Sequence, residues 1–217
     1  MTLGYAIPSC KSYLEYTYRV LEQITNSTIL PDEVVVSISD TPKDVELRED
    51  FPFTIKWIKN PDAEEGCMNR NIAAEHLNTD IITFMDCDDL VHPQRNEVIL
   101  KAFKQGAETF VHSYVLGERD LGLDKEKNNK FLKSIHPETV ILKEYLTTFG
   151  DPIGPQNEID RNVHYHNAHV SITKEIFQKL KYDVHPFCDS YYTRKLVENG
   201  YKIWYTPNEL SYYMLVK

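Results

Sequence analysis

Cysteine is scarce in this chain, and its few cysteines are not paired. The 217 residues contain only four, Cys10, Cys67, Cys87 and Cys188. None belongs to a Cys-x-x-Cys pair, and their spacing resembles no zinc site. The chain is also too long to need a disulfide scaffold. We therefore expect four reduced thiols in a cytosolic type of compartment.

Long apolar runs and an excess of basic residues are also missing. No run reaches the roughly 18 apolar residues that span a bilayer, and residues 1–5 lack the cationic and apolar regions of a secretion signal. The chain has 24 basic and 33 acidic residues, a net charge of −9. Acidic chains bind nucleic acid and anionic membranes poorly, although a metal can still attract a small anion locally. We expect a cytoplasmic protein with no nucleic-acid partner and no transmembrane segment.

Apolar residues make up 41% of the chain, enough for a sizeable core. Periodicity predicts strands over 3–7, 33–39, 53–59, 80–85, 108–115, 164–172 and 201–205. It predicts helices over 12–26, 68–77, 174–181 and 189–199, another that begins near Pro93, and loops over 117–137 and 150–163. In helix 68–77 we expect a face of Met68, Ile72, Ala73 and His76. Alternating strands and helices predict an α/β fold, a mostly parallel sheet with helices on both faces.

Three acids follow the predicted strand 80–85 within four positions: Asp86, Asp88 and Asp89. Carboxylates packed this closely repel one another unless a positive charge lies between them. Mg²⁺ and Mn²⁺ prefer such oxygen ligands and keep positions open for phosphate oxygens. The alternative is a turn or helix cap, since aspartate is common before helices and Pro93 announces one. The pattern favours a divalent cation that holds a diphosphate, with Asp86 and Asp88 as its ligands.

Other polar pairs also follow predicted strands. Pro8-Ser9 comes after the first strand and Ser39-Asp40 after the second. Ligands of parallel α/β sheets bind beyond the carboxyl ends of the strands. We therefore expect both pairs to lie beside the acids at 86–89, in one site.

The stretch from residue 66 to residue 89 resembles a known signature. Gly66-Cys67-Met68-Asn69-Arg70-Asn71-Ile72-Ala73-Ala74, then a strand, then Asp86-Cys87-Asp88-Asp89, is similar to the pattern of inverting family 2 glycosyltransferases with the GT-A fold. The resemblance covers most of the chain, including Ile7-Pro8-Ser9 and Val34–Asp40, and suggests kinship with virus-encoded sugar transferase domains. It implies one GT-A domain over 1–217, which could belong to a longer protein. Residues 1–115 would be its nucleotide-binding half and 116–217 its acceptor-binding half.

The resemblance also implies a chemistry: a UDP-sugar donor, a hydroxyl acceptor on a glycan or another molecule, and Mn²⁺ or Mg²⁺. Arg70 matches the arginine that contacts the base or phosphates of the donor, although a surface arginine capping carbonyls is the alternative. Asp86 matches the residue that faces the ribose and the metal, and Asp88 the principal metal ligand. The implied donor site is completed by Pro8, Ser9, Ser39, Asp40 and Cys87.

Asp40 is the candidate acceptor of the uracil imide N–H, but the match there is partial. The family usually has a pair of acids followed by Gly-Ser, whereas this chain has Ser39-Asp40 before Thr41-Pro42. A turn-forming aspartate is the other interpretation.

Cys188-Asp189 stands where the family often has Glu-Asp, whose aspartate is the general base. A single displacement at the anomeric carbon requires a carboxylate to take the proton of the acceptor hydroxyl. Asp189 is the candidate for this role, and a helix N-cap is the alternative. Many members also place a histidine after the base, whereas residues 190–217 contain none. A nucleotide-sugar-binding module without turnover therefore remains a second hypothesis.

Residues at two positions disfavour two other enzyme classes. A phosphohydrolase with an aspartyl nucleophile expects Thr or Val where Leu90 stands, and a sugar nucleotidyltransferase expects a glycine-rich loop where Pro8-Ser9-Cys10-Lys11 stands.

Three histidines, His164, His166 and His169, lie within six residues. His164 and His166 would share one strand face while His169 points away, which disfavours zinc. These histidines could line a sugar pocket or be ordinary core or surface residues.

Overall fold

The computed structural model describes residues 1–117, 143–145, 169–184 and 188–214. The strands are β1 (Leu3–Cys10), β2 (Glu33–Ser39), β3 (Thr54–Lys59), β4 (Ile81–Phe84), β5 (Leu90–Val91), β6 (Thr109–Gly117), β7 (Lys143–Tyr145), β8 (Val170–Thr173) and β9 (Ile203–Met214). The helices are α1 (Leu14–Ile24), α2 (Gly66–Glu75), α3 (Arg95–Lys104), α4 (Lys174–Lys179) and α5 (Cys188–Glu198), with a 3₁₀ turn over Lys11–Tyr13. No helix within these ranges is long and apolar enough to cross a membrane.

The described strands form one mixed sheet in the order β3-β2-β1-β4-β8-β6-β9-β5, with β7 beside β9. Strands β3, β2, β1 and β4 are parallel, as the alternating pattern predicts. The prediction of a mostly parallel sheet fails beyond β4, because β8 runs antiparallel to both of its neighbours, β4 and β6. Strands β4 and β6 therefore share a direction. The carboxyl ends of β1, β2, β4 and β6 meet at one edge of the sheet.

Helices cover both faces of the sheet, as predicted. Side chains alternate across a strand, so Tyr5 and Ile7 of β1 pack with α1, whereas Ala6 packs on the opposite face with α2. Helices α4 and α5 join α2 on that face, and α3 packs against a third cluster around Phe110 and Leu210. The result is an α/β fold with apolar layers on both faces of the sheet.

Helix α2 buries only one residue of the expected face, Ala73. Met68 is exposed, and Ile72 and His76 are only half-buried. The side chains that turn inward are Cys67, Asn69, Arg70, Asn71, Ala73 and Ala74. The polar ones are buried because they find partners: Asn71, for example, exchanges two hydrogen bonds with the backbone of Tyr182, at 2.8 and 3.0 Å. Tertiary hydrogen bonds thus decide the face that apolar periodicity predicted wrongly.

The last strand is also longer than the predicted 201–205. Strand β9 continues to Met214 through Pro207, and its pairing with β6 shifts register around Ser113. Proline lacks an N–H and is tolerated in a sheet where the ladder is irregular, which the sequence does not reveal. The predicted strand over 164–172 begins at Val170 within the described part of the chain. The loop over 150–163 and residues 118–137 of the other loop lie outside the described residues.

Arg95 of α3 is fully buried and ties the helix to the middle of the sheet. Its Nε donates to His112 Nε2 at 2.9 Å, and Nη2 donates to Thr83 Oγ1 at 3.0 Å and to the Phe84 carbonyl at 2.9 Å. Burial and the charge of Arg95 hold the pKa of His112 well below its ordinary value, so the imidazole is neutral and accepts. This network fixes the end of β4.

Arg95→Met is expected to lower the free energy of unfolding by about 3 kcal/mol, because it leaves buried acceptors without a donor. Urea denaturation followed by circular dichroism measures the change. Arg194→Met is the matched control, since Arg194 forms an exposed i, i+4 pair with Glu198 that contributes under about 0.5 kcal/mol. An unfolding midpoint for Arg95→Met equal to that of the control would contradict the role of this network.

Candidate functional site

A cleft of about 280 Å³ lies at the carboxyl ends of β1, β2 and β4. Its lining residues are Pro8, Ser9, Cys10, Tyr13, Ser39, Glu64, Gly66, Asn69, Arg70, Asp86, Cys87 and Asp88. They come from the three strand ends, the turn that follows β1 and the start of α2. Parallel strands place ligands at this position.

Asn69 links the start of α2 to the ends of two strands. Its Nδ2 donates to the Ser9 carbonyl at 3.1 Å, and its Oδ1 accepts from Ser37 Oγ at 2.9 Å. Ser39 Oγ also donates to the Ser9 carbonyl, at 3.3 Å. These buried bonds cross-link β1, β2 and α2, so the walls of the cleft are fixed relative to one another.

Arg70 and Asp86 form a nearly buried ion pair at the floor of the cleft. Arg70 Nη2 donates to Asp86 Oδ1, and the two side chains are 8% and 14% exposed. Burial lowers the pKa of Arg70, but the charge and hydrogen bond of Asp86 outweigh it and raise that pKa above its ordinary value. Arg70 is therefore permanently charged inside the cleft. Its Nε is buried and has no hydrogen-bond partner among the described residues.

Asp88 lies beside this pair, and its carboxylate adds a second negative charge next to that of Asp86. Burial and the neighbouring charge of Asp86 raise the pKa of Asp88 to about 6. The same burial and both carboxylates raise the pKa of the Cys87 thiol well above its ordinary value, so the thiol stays protonated. A cation between the two carboxylates would relieve the repulsion.

The residues present fit a divalent cation that arrives with an anionic ligand. Asp86 and Asp88 offer hard oxygen donors of the kind Mg²⁺ and Mn²⁺ prefer. Among the described residues, no group of three or more His, Cys, Asp or Glu side chains is placed to hold a metal. A cation bound here would take its remaining ligands from phosphate oxygens or water.

The structure gathers most of the predicted site into this one cleft: Pro8, Ser9, Ser39, Arg70, Asp86, Cys87 and Asp88. Asp40 is exposed, adopts φ 53°, and is not among the described lining residues, although its neighbour Ser39 is. Asp89 is fully buried. Asp189 belongs to the first turn of α5, and its side chain lies outside the described residues.

Helix α5 packs on the same face of the sheet as α2, whose first turn lines the cleft. The thiol of Cys188 is close enough to Arg70 to contribute to its raised pKa. Cys188 also packs against the apolar cluster that contains Cys67 and Tyr192. Asp189 directly follows Cys188 in the chain, so its backbone begins near the Arg70 guanidinium.

Several lining residues were not singled out from the sequence. Gly66 and Asn69 belong to the motif that includes Arg70, so the motif itself was a signal for them. Glu64 precedes that motif, Cys10 ends β1, and Tyr13 belongs to the 3₁₀ turn that follows it. For Glu64, Cys10 and Tyr13, closeness to the motif or to the end of the first strand is the only sequence signal that could have predicted a place in the cleft.

The remaining cysteine and histidine predictions have clear outcomes where the chain is described. All four cysteines are free, as expected. His169 is fully buried, and its Nε2 is 2.5 Å from Ser211 Oγ, which agrees with an ordinary core histidine. His164 and His166 lie outside the described residues.

Solved structures with the same fold include three informative neighbours. S. aureus TarS 1-349 in complex with UDP has a TM-score of 0.66 at 13% identity, covering 99% of this chain and 61% of that one. The same protein with UDP-GlcNAc gives 0.65 at 12%, covering 100% and 59%. The mannosyltransferase PcManGT from Pyrobaculum calidifontis, in complex with GDP-Man and Mn²⁺, gives 0.65 at 14%, covering 99% and 57%. The chain thus spans about 60% of the length of these neighbours.

No curated protein sequence matches the chain significantly. A family model does: residues 6–181 match glycosyl transferase family 2. The match includes both halves of the motif that carries Arg70 and Asp86–Asp89, and it extends over far more than half of the chain. Together with the GT-A architecture of the neighbours, it shows that this chain belongs to glycosyl transferase family 2.

Proposed function

We propose that the chain is a metal-dependent, inverting glycosyltransferase of the hexosyltransferase type. It would move a sugar from a UDP-sugar to a hydroxyl of a glycan or another acceptor. The observation that carries the proposal is the convergence of Arg70, Asp86 and Asp88 on one cleft at the carboxyl edge of the sheet. Membership of a glycosyltransferase family favours sugar transfer over the phosphohydrolase and nucleotidyltransferase alternatives.

The neighbouring structures support a nucleotide-sugar donor. TarS is seen with UDP and with UDP-GlcNAc, and PcManGT with GDP-Man and Mn²⁺. Identities of 12–14% carry the fold and leave the base to be tested. The preference for uridine rests on Asp40, which adjoins the lining residue Ser39 and would accept the imide N–H.

Each residue has a distinct role in the proposed reaction. Asp86 and Asp88 would hold Mn²⁺ or Mg²⁺, which neutralises charge on the departing diphosphate. Arg70 supplies a fixed positive charge on the same side of the sugar. Asp189 takes the proton of the acceptor hydroxyl as the oxygen bonds to the anomeric carbon and the bond to the diphosphate breaks. One displacement from the opposite face inverts the configuration.

Asp88→Asn is expected to abolish the gain in UDP affinity that Mn²⁺ provides, because a neutral amide is a poor ligand for a hard cation. Isothermal titration of UDP, with and without Mn²⁺, measures this gain. Asp50→Asn is the matched control, since Asp50 is exposed and pairs with Arg48 on the surface. A gain in Asp88→Asn as large as in the control would remove Asp88 from the metal site.

Asp189→Asn is expected to keep UDP affinity within about twofold and to lower sugar transfer by a factor of about 100 or more, the usual contribution of a general base. UDP release from candidate donors, chosen first by thermal shift, reports transfer. Normal turnover would show that another group is the base. Donor binding by the wild-type chain without any UDP release would instead favour the non-catalytic binding module.

Asp40→Asn is expected to weaken UDP binding by a factor of about 5 to 10, because the neutral amide oxygen accepts a hydrogen bond roughly half as strong as that of the carboxylate. Asparagine tolerates the positive φ of this position, so the change removes charge with little strain. Binding of UDP methylated at N3 is the readout, since this ligand lacks the proton and should not distinguish variant from wild type. Glu64→Gln is the comparison, because Glu64 is a carboxylate that, unlike Asp40, does line the cleft. If Glu64→Gln bound UDP and its N3-methyl derivative equally while Asp40→Asn still preferred UDP, base recognition would move to Glu64.

A further inference from the structure

Helix α1 turns two polar side chains towards the segment that follows β4. Arg19 and Gln23 lie one helical turn apart and are only 5% and 8% exposed. Arg19 Nη2 donates to the backbone carbonyl of Asp88, and Gln23 Oε1 accepts from the backbone N–H of Val91 at 2.9 Å. The helix therefore contacts the acidic turn, residues 86–91, at two backbone groups.

The backbone just before this turn is held by two other hydrogen bonds. The N–H of Met85 donates to the Ala6 carbonyl at 3.2 Å, and Arg95 donates to the Phe84 carbonyl at 2.9 Å. Both anchors precede Asp86. Arg19 makes its contact within the carboxylate-bearing part of the turn, where backbone position decides where Asp88 points.

Arg19 also balances charge. The acidic turn lies between two buried arginines, Arg70 on α2 and Arg19 on α1, and the positive charges of both act to lower the pKa of Asp88. Burial itself lowers the pKa of Arg19, and the charge of Asp88 opposes this. Burying a guanidinium is costly, and here the charges of Asp88 and Asp89 offset the cost, since both act to raise the pKa of Arg19. Arg19 therefore acts on the acidic turn through its charge as well as through its hydrogen bond to the Asp88 carbonyl.

Arg19 is not among the described residues that line the cleft, so it acts from behind the turn. Its guanidinium lies 5.1 Å from the ring centroid of Tyr16, which is 5.7 Å from the ring of Tyr13. Tyr13 does line the cleft. Arg19, Tyr16 and Tyr13 thus form a row of neighbouring side chains from the acidic turn to the lining of the cleft.

We infer that Arg19 is a positioning residue, which fixes the backbone of the acidic turn and offsets its charge so that Asp86 and Asp88 are arranged for a cation and a diphosphate. The inference rests on the proposed function, because the cation and the donor define what the turn is positioned for. It assigns no contact between Arg19 and the donor.

Two variants separate charge from hydrogen bonding. Arg19→Met removes both but preserves much of the aliphatic volume, whereas Arg19→Gln removes the charge and keeps an N–H donor. Arg48→Met is the matched control, because Arg48 pairs with Glu22 of the same helix at the surface, 3.0 Å away. UDP affinity is measured by titration with and without Mn²⁺, and Mn²⁺ affinity in the presence of UDP by electron paramagnetic resonance.

Arg19→Met is expected to reduce the Mn²⁺-dependent gain in UDP affinity by a factor of about 10, equal to about 1.4 kcal/mol. UDP affinity without Mn²⁺ should stay within about twofold of wild type, because Arg70 and the other lining residues are unchanged. Arg19→Gln should also reduce the Mn²⁺-dependent gain in UDP affinity. If Arg19→Met does not fold, Arg19→Gln tests the inference by itself. Arg48→Met should match the wild type in both conditions.

A full Mn²⁺-dependent gain in a folded Arg19 variant would overturn the inference. So would an equal loss of UDP affinity with and without Mn²⁺, since that outcome indicates general support of the cleft rather than placement of the acidic turn. If the wild-type chain itself shows no Mn²⁺-dependent gain, the proposed metal dependence fails and the inference fails with it. A wild-type gain that survives in Arg19→Met overturns the inference alone.

Discussion

Repulsion between carboxylates at the end of β4 is the constraint on which this structure depends. Asp86 and Asp88 are partly buried beside each other, and burial together with the charge of Asp86 raises the pKa of Asp88. The protein offsets that cost with buried arginines from two different helices, Arg70 and Arg19. The helices that flank the site are therefore held to it by charge as well as by apolar packing.

The sheet makes this arrangement possible. Parallel pairing of β1, β2 and β4 brings three strand ends to one edge, and helices on opposite faces approach that edge from both sides. Helix α2 delivers Arg70 from one face and α1 delivers Arg19 from the other. A sheet with helices on only one face could supply only one of these two arginines. The internal hydrogen bonds of Asn69 and Arg95 then limit how far the strand ends can move.

Local features of the sequence predicted much of this site. The motif around Arg70 and the acids at 86–88 lies within one strand–helix unit, so its geometry follows from short-range structure, and seven predicted residues do line the cleft. The inward face of α2 was predicted wrongly, because Asn71 is buried by bonds to Tyr182, 111 residues away. Arg19 was missed for the same reason: its partner, Asp88, is 69 residues away. Pattern reading locates apolar burial, whereas polar burial depends on partners that only the folded chain brings together.

Charge accounting also explains why cation and donor should bind together. Without ligand, Arg70 and Arg19 lie among the carboxylates of Asp86, Asp88 and Asp89, Glu64 also lines the cleft, and the chain as a whole carries −9. A nucleoside diphosphate adds further negative charge that the arginines cannot neutralise, since Arg70 already pairs with Asp86 and Arg19 lies behind the turn. A cation alone would find no group of three or more His, Cys, Asp or Glu side chains placed to hold it in the part of the chain that the structure describes, which is too few protein ligands for tight binding. If the proposed function is right, each ligand supplies what the other lacks, and we expect the cation and the donor to bind cooperatively.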